Sequence, residues 1–136
     1  MVAWKSNAQI KDVYSVLIIT KDKEMASVWE TLFQQKDCYV LHETSPKEAL
    51  QSAQLLCPSL IVLDLDLPQS AMLDLCKKLR ATTNGTLLLL APVNGQHNIF
   101  EYMHAGVDEH IPTPISPMAL LIKSMAWLVK QEWASN

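Results

Sequence analysis

The sequence predicts an α/β fold in which a parallel sheet is covered by helices on both faces. Short apolar runs typical of strands alternate five times with segments whose apolar residues recur at helical spacing. Residues 60–63 are four apolar residues in succession, as expected of a strand buried on both faces. Asp64 follows this run and therefore lies at the carboxyl end of a central strand, where open α/β sheets hold their sites. Position alone does not separate a functional acid from an ordinary loop carboxylate.

Composition indicates one globular domain. The chain has 136 residues, of which 49% are hydrophobic and 18% charged. Its net charge of −3 and its lack of Lys/Arg runs argue against a nucleic-acid interface. Its apolar runs are too short to cross a bilayer, and its N-terminus lacks a signal-peptide layout. We expect a lead-in at residues 1–12, a domain at 13–133 and a tail at 134–136.

The cysteines and histidines form no recognisable ligand set. Cys38, Cys57 and Cys76 are odd in number and lack paired spacing, which argues against a disulfide framework or a zinc site. Reduced thiols of this kind favour a cytoplasmic location. The histidines at 42, 97, 104 and 110 show no metal-ligand spacing either, and we expect them at the surface or its rim.

The elements follow one another in regular order. Strands are predicted at 13–19, 38–42, 60–63, 86–90 and 109–111. Helices are predicted at 24–34, 46–56, after Pro68, at about 96–105 and at 117–133. The pairs Ser45–Pro46 and Ser116–Pro117 each supply a helix N-cap followed by a proline at the first helical position. Gly106 is placed to end the fourth helix in a left-handed conformation.

From residue 13 to about residue 133 the chain resembles the receiver domains of two-component response regulators. The resemblance rests on the five strand–helix units, on LIVLDLDLP at 60–68, on AGVDE at 105–109 and on Thr113–Pro114 before the last helix. It implies a flavodoxin-like fold with strand order 2-1-3-4-5. It also places Asp64 at the position that accepts a phosphoryl group.

The other chemical positions of that family are not kept. Receivers usually have two adjacent acids that bind Mg²⁺ after the first strand, where this chain has Thr20 and Lys21. The Thr or Ser that usually ends the fourth strand is Ala91, and the Lys that usually precedes the proline after the fifth strand is Thr113. The aromatic switch position is His110. The resemblance therefore carries over only Asp64 among these positions.

These replacements leave few ligands for a metal. Mg²⁺ prefers near-octahedral oxygen ligands including one or two carboxylates, and Asp64 with Lys21 beside it is a poor cage. Asp22 comes one residue too late and is expected to start the first helix, while Asp66 could contribute only weakly. We therefore expect no Mg²⁺ cofactor. We also expect an ion pair between Lys21 and Asp64, the alternative being that Lys21 points to water.

The family uses its fourth helix, fifth strand and fifth helix as a partner surface, and this chain has a surplus of apolar residues there. On the last helix, the predicted core stripe is Met118, Leu121, Ile122, Met125, Leu128 and Val129. The apolar residues predicted to be available to a partner are Ile99, Phe100, Tyr102, Met103, Leu120, Trp127 and Trp133, with His110 between the helices. We expect a homodimer or a partner domain here with Trp127 as anchor, unless Trp127 folds back onto its own domain.

The sequence thus predicts a degenerate receiver domain that acts by protein contact and is not an enzyme. One alternative is a functional receiver phosphorylated on Asp64 by a histidine kinase. Another is an unrelated flavodoxin-like enzyme or FMN protein. That alternative needs a Gly- or Ser/Thr-rich phosphate loop after the first strand, and Thr20-Lys21-Asp22-Lys23 is not one.

Overall fold

Five parallel strands form the central sheet. The structure, a computed structural model, describes residues 13–92 and 98–135. The strands are β1 Ser15–Thr20, β2 Tyr39–Glu43, β3 Leu60–Asp64, β4 Thr86–Pro92 and β5 Glu109–Thr113. Their order in the sheet is β2-β1-β3-β4-β5, and every neighbouring pair is parallel. The predicted flavodoxin-like topology is confirmed.

Helices cover both faces of the sheet. They are α1 Lys23–Gln34, α2 Pro46–Leu56, α3 Gln69–Arg80, α4 Ile99–His104 and α5 Pro117–Ser135. Side chains of α1 and α5 pack on one face, and those of α2, α3 and α4 pack on the other. The last helix continues to Ser135, two residues beyond its predicted end at about residue 133. The predicted lead-in and the predicted first residues of α4 lie outside the described residues.

The ends of the helices are set by local chemistry that the sequence predicts. Ser45 Oγ accepts a hydrogen bond from the Glu48 amide at 3.3 Å, and Ser116 Oγ accepts one from the Ala119 amide at 3.1 Å. After α4 the chain turns at Gly106, whose φ of +109° favours glycine.

The strands alternate their side chains between two buried layers. In β1, Leu17 and Ile19 face α2, α3 and α4, whereas Val16 and Ile18 face α1 and α5. The same alternation holds in β3. The sheet is therefore buried on both faces, as its uninterrupted apolar runs predict.

Helix α5 buries only part of its predicted core stripe: Leu121 and Leu128 are buried as predicted, and Met125 packs against the core. Leu120 is fully buried (0% exposed) together with Leu121 and Leu128, whereas Met118, Ile122 and Val129, predicted as core, are exposed. The helix is apolar on nearly all sides, so spacing alone does not identify the buried side. The buried side also carries Ser124, a polar residue that interrupts its apolar pattern in the sequence.

Candidate functional site

The site lies at the carboxyl ends of β1 and β3, where Thr20 and Asp64 are register partners. Thr20 is buried, and its hydroxyl donates a hydrogen bond to Asp64 Oδ2 at 3.0 Å. The same hydroxyl oxygen accepts the Asp22 amide at 3.1 Å. Thr20 therefore has its proton and one lone pair committed within the protein.

The neighbours of Thr20 hold this arrangement in place. Asp22 Oδ1 accepts the Met25 amide at 3.0 Å, so this carboxylate caps α1 as predicted from the sequence. His42, at the end of β2, donates from Nε2 to the Thr20 carbonyl at 2.8 Å. No sequence pattern indicates this role of His42, since its contact is with the backbone of a neighbouring strand.

The Asp64 carboxyl is half-buried, and its environment disfavours the charged form. Burial raises the pKa of Asp64 above its ordinary value of 3.8, and the nearby Asp22 carboxylate also raises it. The hydrogen bond from Thr20 acts in the opposite direction, but the net shift is upward.

Lys21 does not form the predicted ion pair. It follows the last residue of β1 and is exposed, while Asp64 takes its hydrogen bond from Thr20. The ion pairs among the described residues join Lys78 to Asp74, Arg80 to Asp108 and Lys123 to Glu109. This prediction is wrong because the side chain of Thr20, inside the strand, points to the acid and that of Lys21 points to water.

The donor set does not fit a Mg²⁺ ion. A magnesium site needs oxygen lone pairs in octahedral array, usually including more than one hard oxygen from the protein. Here the Thr20 proton points to Asp64, and Asp22 Oδ1 accepts the Met25 amide at the start of α1. Asp66 is exposed in the loop after β3. Within residues 13–92 and 98–135, three or more His, Cys, Asp or Glu side chains nowhere gather into a possible metal site.

The remaining positions lie around the same edge of the sheet. Ala91 is buried near the end of β4, and Thr113 is half-buried at the end of β5, joined to Pro114 by a cis peptide bond. Ala91 lacks the hydroxyl, and Thr113 lacks the ammonium, that the resemblance implies at these two positions. His110, also half-buried, donates from Nε2 to the Ala91 carbonyl at 3.1 Å. Its ring is therefore turned to the backbone of the neighbouring strand.

The predicted contact surface is only partly exposed. Phe100 (78% exposed), Met103 and Ile99 are open to solvent and form what we call the α4 patch. Tyr102 (1% exposed) and Leu120 are core residues and are unavailable to a partner, which corrects their predicted place in the interface. Their burial follows from the direction of their helix faces, which an apolar-rich sequence leaves ambiguous.

Trp127 is engaged with its own domain. Its indole Nε1 donates to Glu109 Oε1 at 2.7 Å, and Lys130 Nζ lies 4.6 Å from its ring centroid. Lys123 donates to the other Glu109 oxygen at 2.9 Å. Burial pushes the pKa of Glu109 upward, but the hydrogen bonds from Trp127 and Lys123 and the Lys123 charge bring it below its ordinary value. Of the two alternatives for Trp127, the structure shows the folded-back one.

Fold and site together define a flavodoxin-like α/β domain with a single acid at the end of its third strand. The chain matches the family described as "Response regulator receiver domain" over residues 16–124. The chain therefore belongs to the response-regulator receiver family. Domains of this family are signalling modules of two-component systems that interact with histidine kinases and output domains, and they are generally not enzymes.

Individual relatives agree with this assignment. The chain is 25% identical over 119 residues to "DNA-binding response regulator MtrA" of Mycolicibacterium smegmatis, which aligns with 86% of this chain and 51% of that protein. It is 25% identical over 113 residues to "Regulatory protein VanR" of Enterococcus faecium, covering 83% of this chain and 49% of that protein. The chain thus spans about half the length of these curated relatives.

Solved structures share the fold. A CheY-like receiver domain from Methanospirillum hungatei JF-1 superposes with a TM-score of 0.80 at 20% identity, covering 90% of this chain and 99% of that one. A two-component response regulator from Clostridium difficile gives 0.77 at 23% identity, covering 87% and 98%. Across the part of this chain that the structure describes, every helix is too short or too polar to cross a membrane.

Proposed function

We propose that this receiver domain signals by protein–protein contact and does not use Mg²⁺-dependent phosphorylation of Asp64. The observation that carries the proposal is the hydrogen bond from the Thr20 hydroxyl to Asp64, made at the position where receivers usually place a metal-binding acid. It converts the Asp64 carboxylate from a metal ligand into an internal hydrogen-bond acceptor.

The chemistry of phosphoryl transfer supports the proposal. Such transfer depends on metal ions and cations that position and neutralise the phosphoryl oxygens. Lys21 points to solvent, and Thr113 has no positive charge. Ala91 has no hydroxyl that could hydrogen-bond a phosphoryl group on Asp64. The raised pKa of Asp64 also lowers the fraction of nucleophilic carboxylate at a given pH.

The α4 patch supports the contact role. Phe100 and Met103 are large apolar side chains left open to solvent on the short helix that precedes β5. Exposed aromatic and methionine side chains are enriched in interfaces. We propose that this patch binds a second copy of the chain, a histidine kinase or an output domain. Three free thiols, two of them buried, favour action in the cytoplasm.

Mg²⁺ titration is the first test. Residues around Asp64 should show no saturable change in amide NMR shift up to about 10 mM Mg²⁺, because Thr20 and Lys21 take the places of the two metal-binding acids. The double variant Thr20→Asp, Lys21→Asp restores the two acids and should show saturable shifts at the same residues. Saturation in the wild type at low millimolar metal contradicts the proposal.

Exposure to a small phosphodonor is the second test. After incubation with acetyl phosphate and Mg²⁺, intact mass should show no appreciable phosphorylated species. The matched variant carries Thr20→Asp, Lys21→Asp, Ala91→Thr and Thr113→Lys, and should gain a phosphoryl group. If the wild type gains one promptly and Asp64→Asn abolishes the gain, the chain is instead a receiver phosphorylated on Asp64.

A further inference from the structure

One face of α5 is apolar and points to solvent. We call Met118, Ile122, Val129 and Trp133 (76% exposed) the α5 stripe, since they follow one another along the outward side of this helix. Met125 and Ala126 lie between them, and the carboxyl-terminal part of the stripe lines an open groove of about 610 Å³. A contiguous apolar surface of this kind usually marks a contact.

The beginning of β1 lies next to the end of this helix. The Ser15 amide donates to Ser59 Oγ at 3.2 Å, and the Ser59 carbonyl accepts from Gln131 Nε2 of α5 at 3.1 Å. A single residue, Ser59, thus links the start of β1 to α5 two residues before Trp133. Tyr14 packs into the core cluster on the same face of the sheet as α5. The chain preceding Val13 therefore joins the domain beside the carboxyl-terminal end of the stripe.

Residues 1–12, which lie outside the described residues, have the length and composition to cover the stripe. From Met118 to Trp133 the stripe covers 15 residue steps of helix, about 22 Å at 1.5 Å per residue. Twelve residues reach at most about 40 Å when extended, and the interval from Ile10 to Trp4 spans about 20 Å. Ile10 and Trp4, with Val2, are the large apolar side chains of this segment beside Met1.

We propose that residues 1–12 dock on the α5 stripe of their own chain, with Ile10 near Trp133 and Trp4 near Met118 and Ile122. Docking removes apolar surface from water at both partners. Because the segment is tethered beside the stripe, its effective concentration there is high and a second protein must displace it. The segment acts as a built-in competitor for one face of the domain. This inference does not depend on Asp64 chemistry or on the α4 patch.

A paramagnetic label tests the contact in the full chain. Lys5→Cys in a Cys57→Ser background offers one accessible thiol, because Cys38 and Cys76 are buried. With a nitroxide on that thiol, amide signals at the outward positions of α5 should weaken several-fold relative to the reduced label. Signals of α3, on the opposite face of the sheet, should not weaken.

Two variants and one mixture decide the interpretation. Adding Trp133→Ala should restore most of the lost α5 intensity. Adding Leu55→Ala, which truncates an exposed apolar side chain (90% exposed) on α2, should restore none. Unchanged α5 signals in the labelled chain, or a loss that Trp133→Ala does not relieve, overturn the proposal. In the mixture, an isotopically enriched chain without a nitroxide is combined with a nitroxide-labelled chain. If the α5 signals of the enriched chain weaken, the stripe binds a second copy, and the proposal is also overturned.

Discussion

Asp64 keeps its identity while its environment has changed. In place of a second acid it meets the hydroxyl of Thr20, and its pKa is raised by burial and by Asp22. A carboxyl whose pKa is higher in the folded state holds its proton more tightly there than in the unfolded chain. Its charge therefore lowers stability as pH rises from the ordinary value of 3.8 through the folded-state pKa.

Asp64→Asn should accordingly stabilise the protein near neutral pH. Asparagine removes the buried charge, and its amide oxygen can still accept the Thr20 hydrogen bond. The gain in the free energy of unfolding should be largest at about pH 7 and should shrink as pH falls through the folded-state pKa towards about pH 3, where the wild-type carboxyl is mostly protonated in both states. Urea unfolding at the two pH values measures it. Asp66→Asn, at an exposed position, is the control, and an equal gain there would refute the explanation.

At this scale the sequence predicted which groups are missing but not which contact replaces them. The absence of the acid pair, the hydroxyl and the lysine is visible in Thr20, Lys21, Ala91 and Thr113 themselves. The replacement was predicted to be the Lys21 ammonium, because charge complementarity is easily recognised in a sequence. The hydroxyl of Thr20 prevails because it lies in register with Asp64 across β1 and β3.

Among the elements, α3 is fastened to the rest of the domain by one side chain. Arg80, at its last turn, donates to the Asp108 carboxylate at 3.1 Å and to three backbone carbonyls. Those carbonyls belong to Thr83, Gly85 and Gly106. A single guanidinium thus joins the end of α3, the entry to β4 and the turn after α4. Arginine suits this role because its planar fork offers several fixed donors.

Arg80→Met should therefore destabilise the protein by about 2–3 kcal/mol, since it leaves several half-buried acceptors without their donor. Lysine at this position should not restore the loss, because one ammonium cannot reach the separated acceptors. Lys78→Met is the matched control: its pair with Asp74 is exposed and helical, and removing it should cost about 0.5 kcal/mol or less. Denaturant midpoints give the comparison. Similar losses of stability for Arg80→Met and Lys78→Met would contradict the proposed role of Arg80 in joining these elements.

Element order and helix starts followed from local signals, whereas the orientation of α5 did not. Ser45 and Ser116 mark helix starts through hydrogen bonds that form within three residues. The buried side of α5 depends instead on which residues meet the sheet. Leu120 and Ile122 have comparable hydrophobicity, and only the three-dimensional packing distinguishes them.

For the whole molecule, the α4 patch should determine any association through this side of the domain. Phe100→Ala should weaken self-association or binding to a cognate partner by about tenfold or more, the effect of losing an aromatic anchor worth about 1.4 kcal/mol. Sedimentation velocity over a concentration series measures the homodimer form. Leu55→Ala, on α2 and separated from the α4 patch by α3, should leave the sedimentation distribution unchanged. If the wild type stays monomeric at high micromolar concentration, the homodimer is excluded and only binding to a partner domain remains. If Phe100→Ala then binds that partner with the same affinity as the wild type, the α4 patch is not the binding surface.

The tethering of His110 to the Ala91 carbonyl has a consequence for how such a domain could carry information. A modifiable switch conveys a message through the ratio of two conformational populations. Under the proposed function that ratio is fixed. The His110 ring is hydrogen-bonded to Ala91, which stands where receivers usually have a Thr or Ser hydroxyl. The remaining variable is abundance: partner occupancy then follows the amount of the protein made and degraded, so synthesis and turnover set the signal.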